Sequence, residues 1–228
     1  DTKMIGAFGI NKNSDSEFAK KTDDRIEINS LVGKNFTKEL SYSSFINFKT
    51  QFARGYKYSN SSIGSEQRTE TTRFFSPAYI QLGVGVYWKK SRDFWINMAP
   101  VTGRLIIANK KFTSNLSDGE EYFGISKGNT SRFELGASLT GFYKFELIEN
   151  VILEQSLSLY SDYLQNAENI DLDYTISAFM KINDYLSTSL IIQCRYDDNA
   201  VKKVQLREVF GLAVTLDLLE IPRLISKI

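Results

Sequence analysis

The residue types that carry acid–base, nucleophilic or metal chemistry set the first limits. The chain contains no histidine. That removes histidine-based hydrolytic triads, histidine general bases and the commonest metal ligand together. One cysteine is present, Cys194, so no internal disulfide forms. Its place in an alternating run makes it a small side chain on the apolar face. Neither a phosphate-binding glycine loop nor a zinc-type cysteine spacing occurs. The acidic stretch Ser117, Asp118, Gly119, Glu120, Glu121 lacks the ligand spacing of a calcium loop and reads as a solvated connection. These absences imply no catalytic set, no cofactor and no bound metal.

What remains is a set of charges placed at every second residue. Arg25, Glu27, Lys49, Arg132, Glu134, Glu154, Asp171, Asp173, Arg195, Asp197 and Arg207 all fall on the polar side of a period-two pattern. Their signs nearly balance. A selective pore displays one sign at its constriction, whereas balanced charges suit paired groups filling an interior, because an unpaired buried charge is costly.

The elements that must position these charges are long strands. In residues 170–182, Leu172, Tyr174, Ile176, Ala178 and Met180 alternate with Asp171, Asp173, Thr175, Ser177 and Lys181. After a tight turn through Asn183, Asp184 and Tyr185, Leu186, Thr188, Leu190, Ile192 and Cys194 alternate with Ser187, Ser189, Gln193 and Arg195. A turn centred on Asp184 sets Asp173 opposite Arg195, Ser177 opposite Ile191 and Lys181 opposite Ser187. It also sets Asp171 opposite Asp197, two carboxylates for water or a cation to screen. Each arm exceeds the roughly 5–6 residues of an ordinary strand and meets the roughly 9–11 of a tilted membrane-spanning one.

Eight further segments repeat this pattern: residues 2–10, 24–33, 40–54, 78–88, a strand from Phe94 interrupted at Pro100, 132–145, 151–163 and 206–218. Pro100 removes a ladder donor, so a bulge or strand end is expected there. Long connections (11–23, 55–77, 104–131) and short ones (34–39, 89–93, 146–150, 183–185) alternate along the chain, with medium connections at 164–169 and 199–205. Outer-membrane barrels separate short periplasmic turns from longer extracellular loops in this way. The longest polar connections, 60–70 and 110–128, are expected at the surface. Aromatic residues cluster near both strand ends, as interfacial girdles do. Gly83, Gly85, Gly136 and Gly211 are expected on the inner face.

Bulk properties agree. A net charge of +1 lacks the basic excess of a nucleic-acid binder. The mean hydropathy of -0.26 is ordinary for a barrel whose inward positions are polar. No run of about 18 apolar residues is present, so no transmembrane helix is expected. The chain opens at Asp1 inside a strand pattern and reads as a mature or trimmed product.

Several segments resemble a family of uncharacterised small outer-membrane β-barrel proteins of the Bacteroidota. They are KTDDRIEINS (21–30), FKTQFARGY (48–56), FFSPAY (74–79), APVTG (99–103), NIDLDY (169–174), MKIN (180–183) and YDDN (196–199). The resemblance implies location and fold and brings no established activity. It also implies sequence ahead of Asp1, and hence twelve strands where a further N-terminal pair is present.

The expectation is an all-β, antiparallel, up-and-down transmembrane barrel of ten strands over residues 1–218, with a short periplasmic tail at 219–228. Both termini are periplasmic and the location is the outer membrane. The expected partners are outer-membrane lipid, lipopolysaccharide and other envelope proteins, with no nucleic acid. The expected role is a structural or accessory subunit of an envelope complex with a side-chain-filled interior. A narrow pore or transporter for small solutes is the alternative.

Overall fold

A computed structural model describes residues 1–14, 16–60, 66–165, 167–197 and 201–215. In chain order its elements are β1 (Thr2–Asn11), β2 (Lys20–Asn35), β3 (Leu40–Thr50), β4 (Gly55–Asn60), β5 (Glu66–Thr72), β6 (Ala78–Lys89) and β7 (Phe94–Ile107). They continue with α1 (Lys110–Thr113), β8 (Glu121–Tyr122), β9 (Ile125–Ser126), β10 (Ser131–Ile148), β11 (Val151–Asp162), β12 (Ile170–Lys181), β13 (Leu186–Asp197) and β14 (Val201–Val214). Ten strands form one antiparallel up-and-down sheet in the order β1-β2-β3-β6-β7-β10-β11-β12-β13-β14. The hairpins β4–β5 and β8–β9 stand outside it, within the long connections.

The short turns fix the meander through local side-chain acceptors. The Thr37 hydroxyl accepts from the Leu40 amide at 2.9 Å, and the Ser91 hydroxyl from the Phe94 amide at 3.1 Å. Asn183 Oδ1 accepts from the amides of Tyr185 and Leu186 at 2.9 and 2.8 Å. Asn150 takes the left-handed region, φ 65°, between β10 and β11. Asn and Ser/Thr supply these turn bonds, and Asn tolerates positive φ. With the Asn183 turn so fixed, β12 and β13 pair with Asp173 opposite Arg195, Ser177 opposite Ile191 and Lys181 opposite Ser187, the register the sequence implies.

Two faces of opposite character result. On the convex face Met4, Tyr42, Leu82, Val84, Met98, Val101, Phe133, Phe210 and Leu212 are exposed. Aromatic rings line its short-turn end: Trp88 on Phe94 at 5.3 Å, Phe94 on Tyr143 at 5.8 Å and Tyr143 on Phe145 at 4.9 Å. The concave face carries the charges. Among the described residues the buried apolar set is Ala78, Ala99, Ile106, Ala108, Ile125 and Tyr160. The usual globular arrangement, apolar inside and polar outside, is reversed.

Curvature brings the sheet ends together. Arg207 Nη2 of β14 donates to Asp23 Oδ2 of β2 at 3.1 Å. No ladder joins β1 to β14 among the described residues, so the sheet curls without backbone closure.

Pro100 departs from one of its two expected outcomes. It produces a bulge, with register shifts opposite it on both neighbours, but the strand continues to Ile107. Ahead of the bulge Trp95, Asn97 and Ala99 face inward. Beyond it Thr102, Arg104 and Ile106 do, while Val101 is exposed on the other side. The Thr102 hydroxyl donates to the Ala99 carbonyl at 2.9 Å across the bulge. Other boundaries shift as well: β14 begins at Val201 rather than 206, and β10 runs on to Ile148. Residues 216–218 and the expected tail at 219–228 lie outside the described residues.

Gly85 makes the bulge possible. A Cβ there would lie 1.9 Å from the Met98 carbonyl oxygen, a backbone atom. Gly6, in β1, has only Phe52 Cζ nearby at 3.8 Å. Gly85→Ala is therefore expected to cost about 1–3 kcal/mol, the range for overpacking, and Gly6→Ala close to nothing. Thermal unfolding of the two variants side by side checks this; equal midpoints would mean that the bulge yields freely.

Candidate functional site

The concave face holds two groups of charges and one cap. The first group centres on Glu134, whose carboxylate is fully buried. Arg104 Nη1 approaches it at 3.4 Å from β7, and Arg132 Nε lies 3.1 Å away on its own strand. Arg104 also donates to Asp171 Oδ2 of β12 at 2.5 Å. That bond passes over β10 and β11, so it crosses the concavity. The Arg104 guanidinium lies 3.6 Å above the Tyr160 ring centroid, a cation–π contact shielded from water. Arg132 extends the group to Asp162 at 3.5 Å and Glu121 at 3.8 Å, and donates to the Gly124 carbonyl at 3.1 Å.

Glu121 and Gly124 belong to the cap, which the two longest connections build together. Asn109 caps the short helix α1, accepting from the Lys111 amide at 2.9 Å. Phe112 stacks on Tyr122 at 5.2 Å. The Tyr122 hydroxyl donates to the Thr71 carbonyl at 2.8 Å, and Lys111 Nζ to Glu70 Oε2 at 2.6 Å, tying the second connection to the first. Beneath them Ile125, Ala108 and Ile106 pack with Tyr79, Tyr122 and Phe123. Connections 60–70 and 110–128, expected at the surface, therefore supply buried Thr113 and Ile125 and the largely covered Glu70 side chain. Residues 61–65 lie outside the described residues. Burial raises the Tyr122 phenol above its ordinary value. The Lys111 hydrogen bond, joined by that of Arg73, holds the Glu70 carboxyl below its ordinary 4.5.

The second group lies where the two ends of the sheet meet. Asp173 Oδ2 accepts from Arg195 Nε and Nη2 at 3.0 and 2.8 Å, and its other oxygen accepts from Gln193 at 2.7 Å. Glu27 stands opposite Lys49 in the ladder but accepts from Asn29 at 2.9 Å. Arg25, Lys49, Arg195 and Arg207 line a cavity of about 260 Å³ with Asp23 and Asp24. Lys21 Nζ donates to Asp24 at 2.7 Å. Apart from both groups, Lys144 pairs with Glu154 at 2.9 Å between neighbouring strands.

The face is not evenly filled. Under the cap the groups crowd, and Phe45 covers Gly83 so closely that a Cβ there would meet its ring at 2.4 Å. Toward the short turns Ser156 and Ser158 of β11 remain exposed. The expected charges thus divide: Arg132, Glu134 and Asp171 gather under the cap, Arg25, Glu27, Lys49, Asp173, Arg195 and Arg207 at the seam, and Glu154 stands apart. The ladder keeps the expected register up to the position next to Asp171 and Asp197. The β12–β13 ladder ends at Leu172 opposite Tyr196; Asp171 turns to Arg104, and Asp197 sits at the register shift against β14. Sequence reasoning missed Arg104 as a member because residue 104 was assigned to a loop. The signal was the phase change after Pro100, where Val101, Gly103 and Leu105 become the outward set.

Residues 1–56 match a family described as "Protein of unknown function (DUF3078)". That stretch contains Arg25, Glu27 and Lys49 of the seam. No curated protein and no solved structure matches the chain.

Two outcomes test the geometry. The Arg104 and Asp171 side chains are 13% and 15% exposed, against 36% and 32% for Arg195 and Asp173. Asp171→Asn is therefore expected to cost about 3 kcal/mol, as breaking a buried pair does. Asp173→Asn should cost about 0–1 kcal/mol, as at an exposed pair; thermal unfolding ranks them, and equal losses would contradict the burial argument. The second outcome concerns Glu70. A depressed carboxyl stabilises the folded cap above its ordinary value and loses that contribution as pH falls through the depressed one. Limited proteolysis of segment 110–128 should accelerate below about pH 4.5, the ordinary value, and Glu70→Gln should flatten that dependence.

Proposed function

We propose that this chain is an outer-membrane β-barrel that serves as a structural or accessory subunit of a larger envelope assembly. The observation that carries this reading is the crowding of side chains under the cap at the long-loop end. Arg104 reaches across the concavity to Asp171 at 2.5 Å beneath a cap packed on Ile106, Ala108 and Ile125. The reversed distribution of polarity supports a lipid setting. Exposed Leu82, Val84, Phe210 and Leu212 form an apolar band, and the rings of Trp88, Phe94, Tyr143 and Phe145 lie at its short-turn margin, where interfacial aromatics sit. Gln155, a polar side chain on that band, is satisfied by the Tyr174 hydroxyl at 2.7 Å. Lipid and lipopolysaccharide cover the band, the cap faces outward, and other envelope proteins are the partners.

A narrow pore is the second reading, favoured by the exposed Ser156 and Ser158 on the concave face. Planar-bilayer recording separates the two. The purified chain is expected to give no conductance steps; regular steps would replace the subunit reading with the pore. The lipid setting has its own check. Leu82→Arg is expected to cost roughly 2–4 kcal/mol of folding free energy in liposomes near the bilayer midplane, while Gln81→Arg on the opposite face costs less. Equal losses would remove the lipid-facing assignment.

A further inference from the structure

The cavity at the seam holds more positive charge than its carboxylates neutralise. Asp23 is committed to Arg207 at 3.1 Å. Asp24 is committed to Lys21 and to the amides of Phe52 and Ala53, at 2.7 and 2.9 Å. Asp173 is committed to Arg195 and Gln193. Two cations are left over: neither Arg25 nor Lys49 forms an ion pair with a described residue, and Arg25 Nε is sealed from solvent without a hydrogen-bond partner. Glu27 stands opposite Lys49 in the ladder and accepts from Asn29. Two half-buried cations, one with a sealed donor, against one carboxylate is an unfavourable arrangement, since a charge or donor withdrawn from water without a partner is costly.

We propose that this cavity binds a tetrahedral oxyanion of the phosphate class. Its donors converge from separate strands, Arg25 from β2, Lys49 from β3 and Arg195 from β13. A planar carboxylate is met by one guanidinium fork, whereas a phosphate takes donors from several directions, and arginine with lysine is the pair suited to it. A volume of about 260 Å³ accommodates one such group with a few waters at about 30 Å³ each and is too small for a drug-sized ligand. Arg195 keeps its bond to Asp173 and still has N–H groups to offer, because a guanidinium carries five donors. Bound there, the anion ties β2 and β3 to β13 across a seam that no backbone ladder closes among the described residues.

The test titrates inorganic phosphate into the purified full chain in uncharged detergent, by calorimetry, in chloride buffer of matched ionic strength. Saturable binding and a raised thermal midpoint are expected. Lys49→Gln and Arg25→Gln should each weaken affinity tenfold or more, and Lys57→Gln, an exposed lysine of β4, should leave it unchanged. Without phosphate, Lys49→Gln should hold or raise the midpoint, because it relieves repulsion within the cavity; a purely structural lysine would lower it. Micelles doped with phosphatidylglycerol or phosphatidylcholine then assign the source: competition with inorganic phosphate means a lipid headgroup, and its absence a soluble phosphate. No saturable binding, or affinity unmoved by Lys49→Gln, overturns the proposal.

Discussion

A carboxylate sealed from water is the constraint to which the rest of the concave face answers. Glu134 is fully buried, and a buried carboxylate without partners is among the costliest groups a fold can hold. Arg104 and Arg132 satisfy it from two directions, and each then needs partners of its own. Arg104 finds Asp171 across the concavity and the Tyr160 ring beneath it. Arg132 finds Asp162 on the wall and Gly124 in the cap. One group thereby couples β7, β10, β11 and β12 to the cap. Removing any member strands the others, which is how a polar network can specify one arrangement where apolar packing would tolerate several.

The strands were legible in the sequence because an exposed apolar face backed by a polar one obliges a period of two. The β12–β13 register was legible for a second reason. Lys181 and Asp184 pair at 2.6 Å and Asn183 closes the turn, so residues adjacent in sequence fix the ladder that follows. Where a local device is lacking, the reading ran out. Arg104 was hidden because a bulge at Pro100 reverses the inward phase, and one inserted residue moves every later side chain to the other face. The partner of Asp171 was hidden because Arg104 lies 67 residues away, and curvature rather than spacing brings them together. The cap was illegible because connections 55–77 and 104–131 hold almost no periodicity. Their order comes from single contacts such as Tyr122 to Thr71 and Asn109 to Ser76. Within the candidate site the polar identity of each position and the Asp173–Arg195 pair were readable, and the partnerships between strands that are not neighbours were not.

The division of the charges into two groups follows from the same curvature. A sheet that rolls up narrows the space on its inner side, so inward groups at mid-sheet are pressed together and dehydrated. Those near the free edges keep more room. Arg104 and Asp171, at mid-sheet, are 13% and 15% exposed, while Arg207 in the edge strand is 49% exposed in its pair with Asp23. The first kind of pair clamps the wall, and the second leaves a cavity.

The seam itself carries a requirement under the membrane reading. Hydrocarbon offers no partner to a backbone N–H or C=O, and each unsatisfied group there costs several kcal/mol. β1 and β14 present such groups along their outer edges, with Met4, Phe8, Leu206 and Phe210 exposed beside them. The Arg207–Asp23 bond brings the two edges near each other on the inner side, but a side-chain bond cannot replace a row of ladder bonds. A lipid setting therefore demands that these edges be paired, directly or by intervening strands. The charges already meeting across the gap mark where that pairing runs: along β1 and β14, with Asp23 and Arg207 at the long-loop end of the seam.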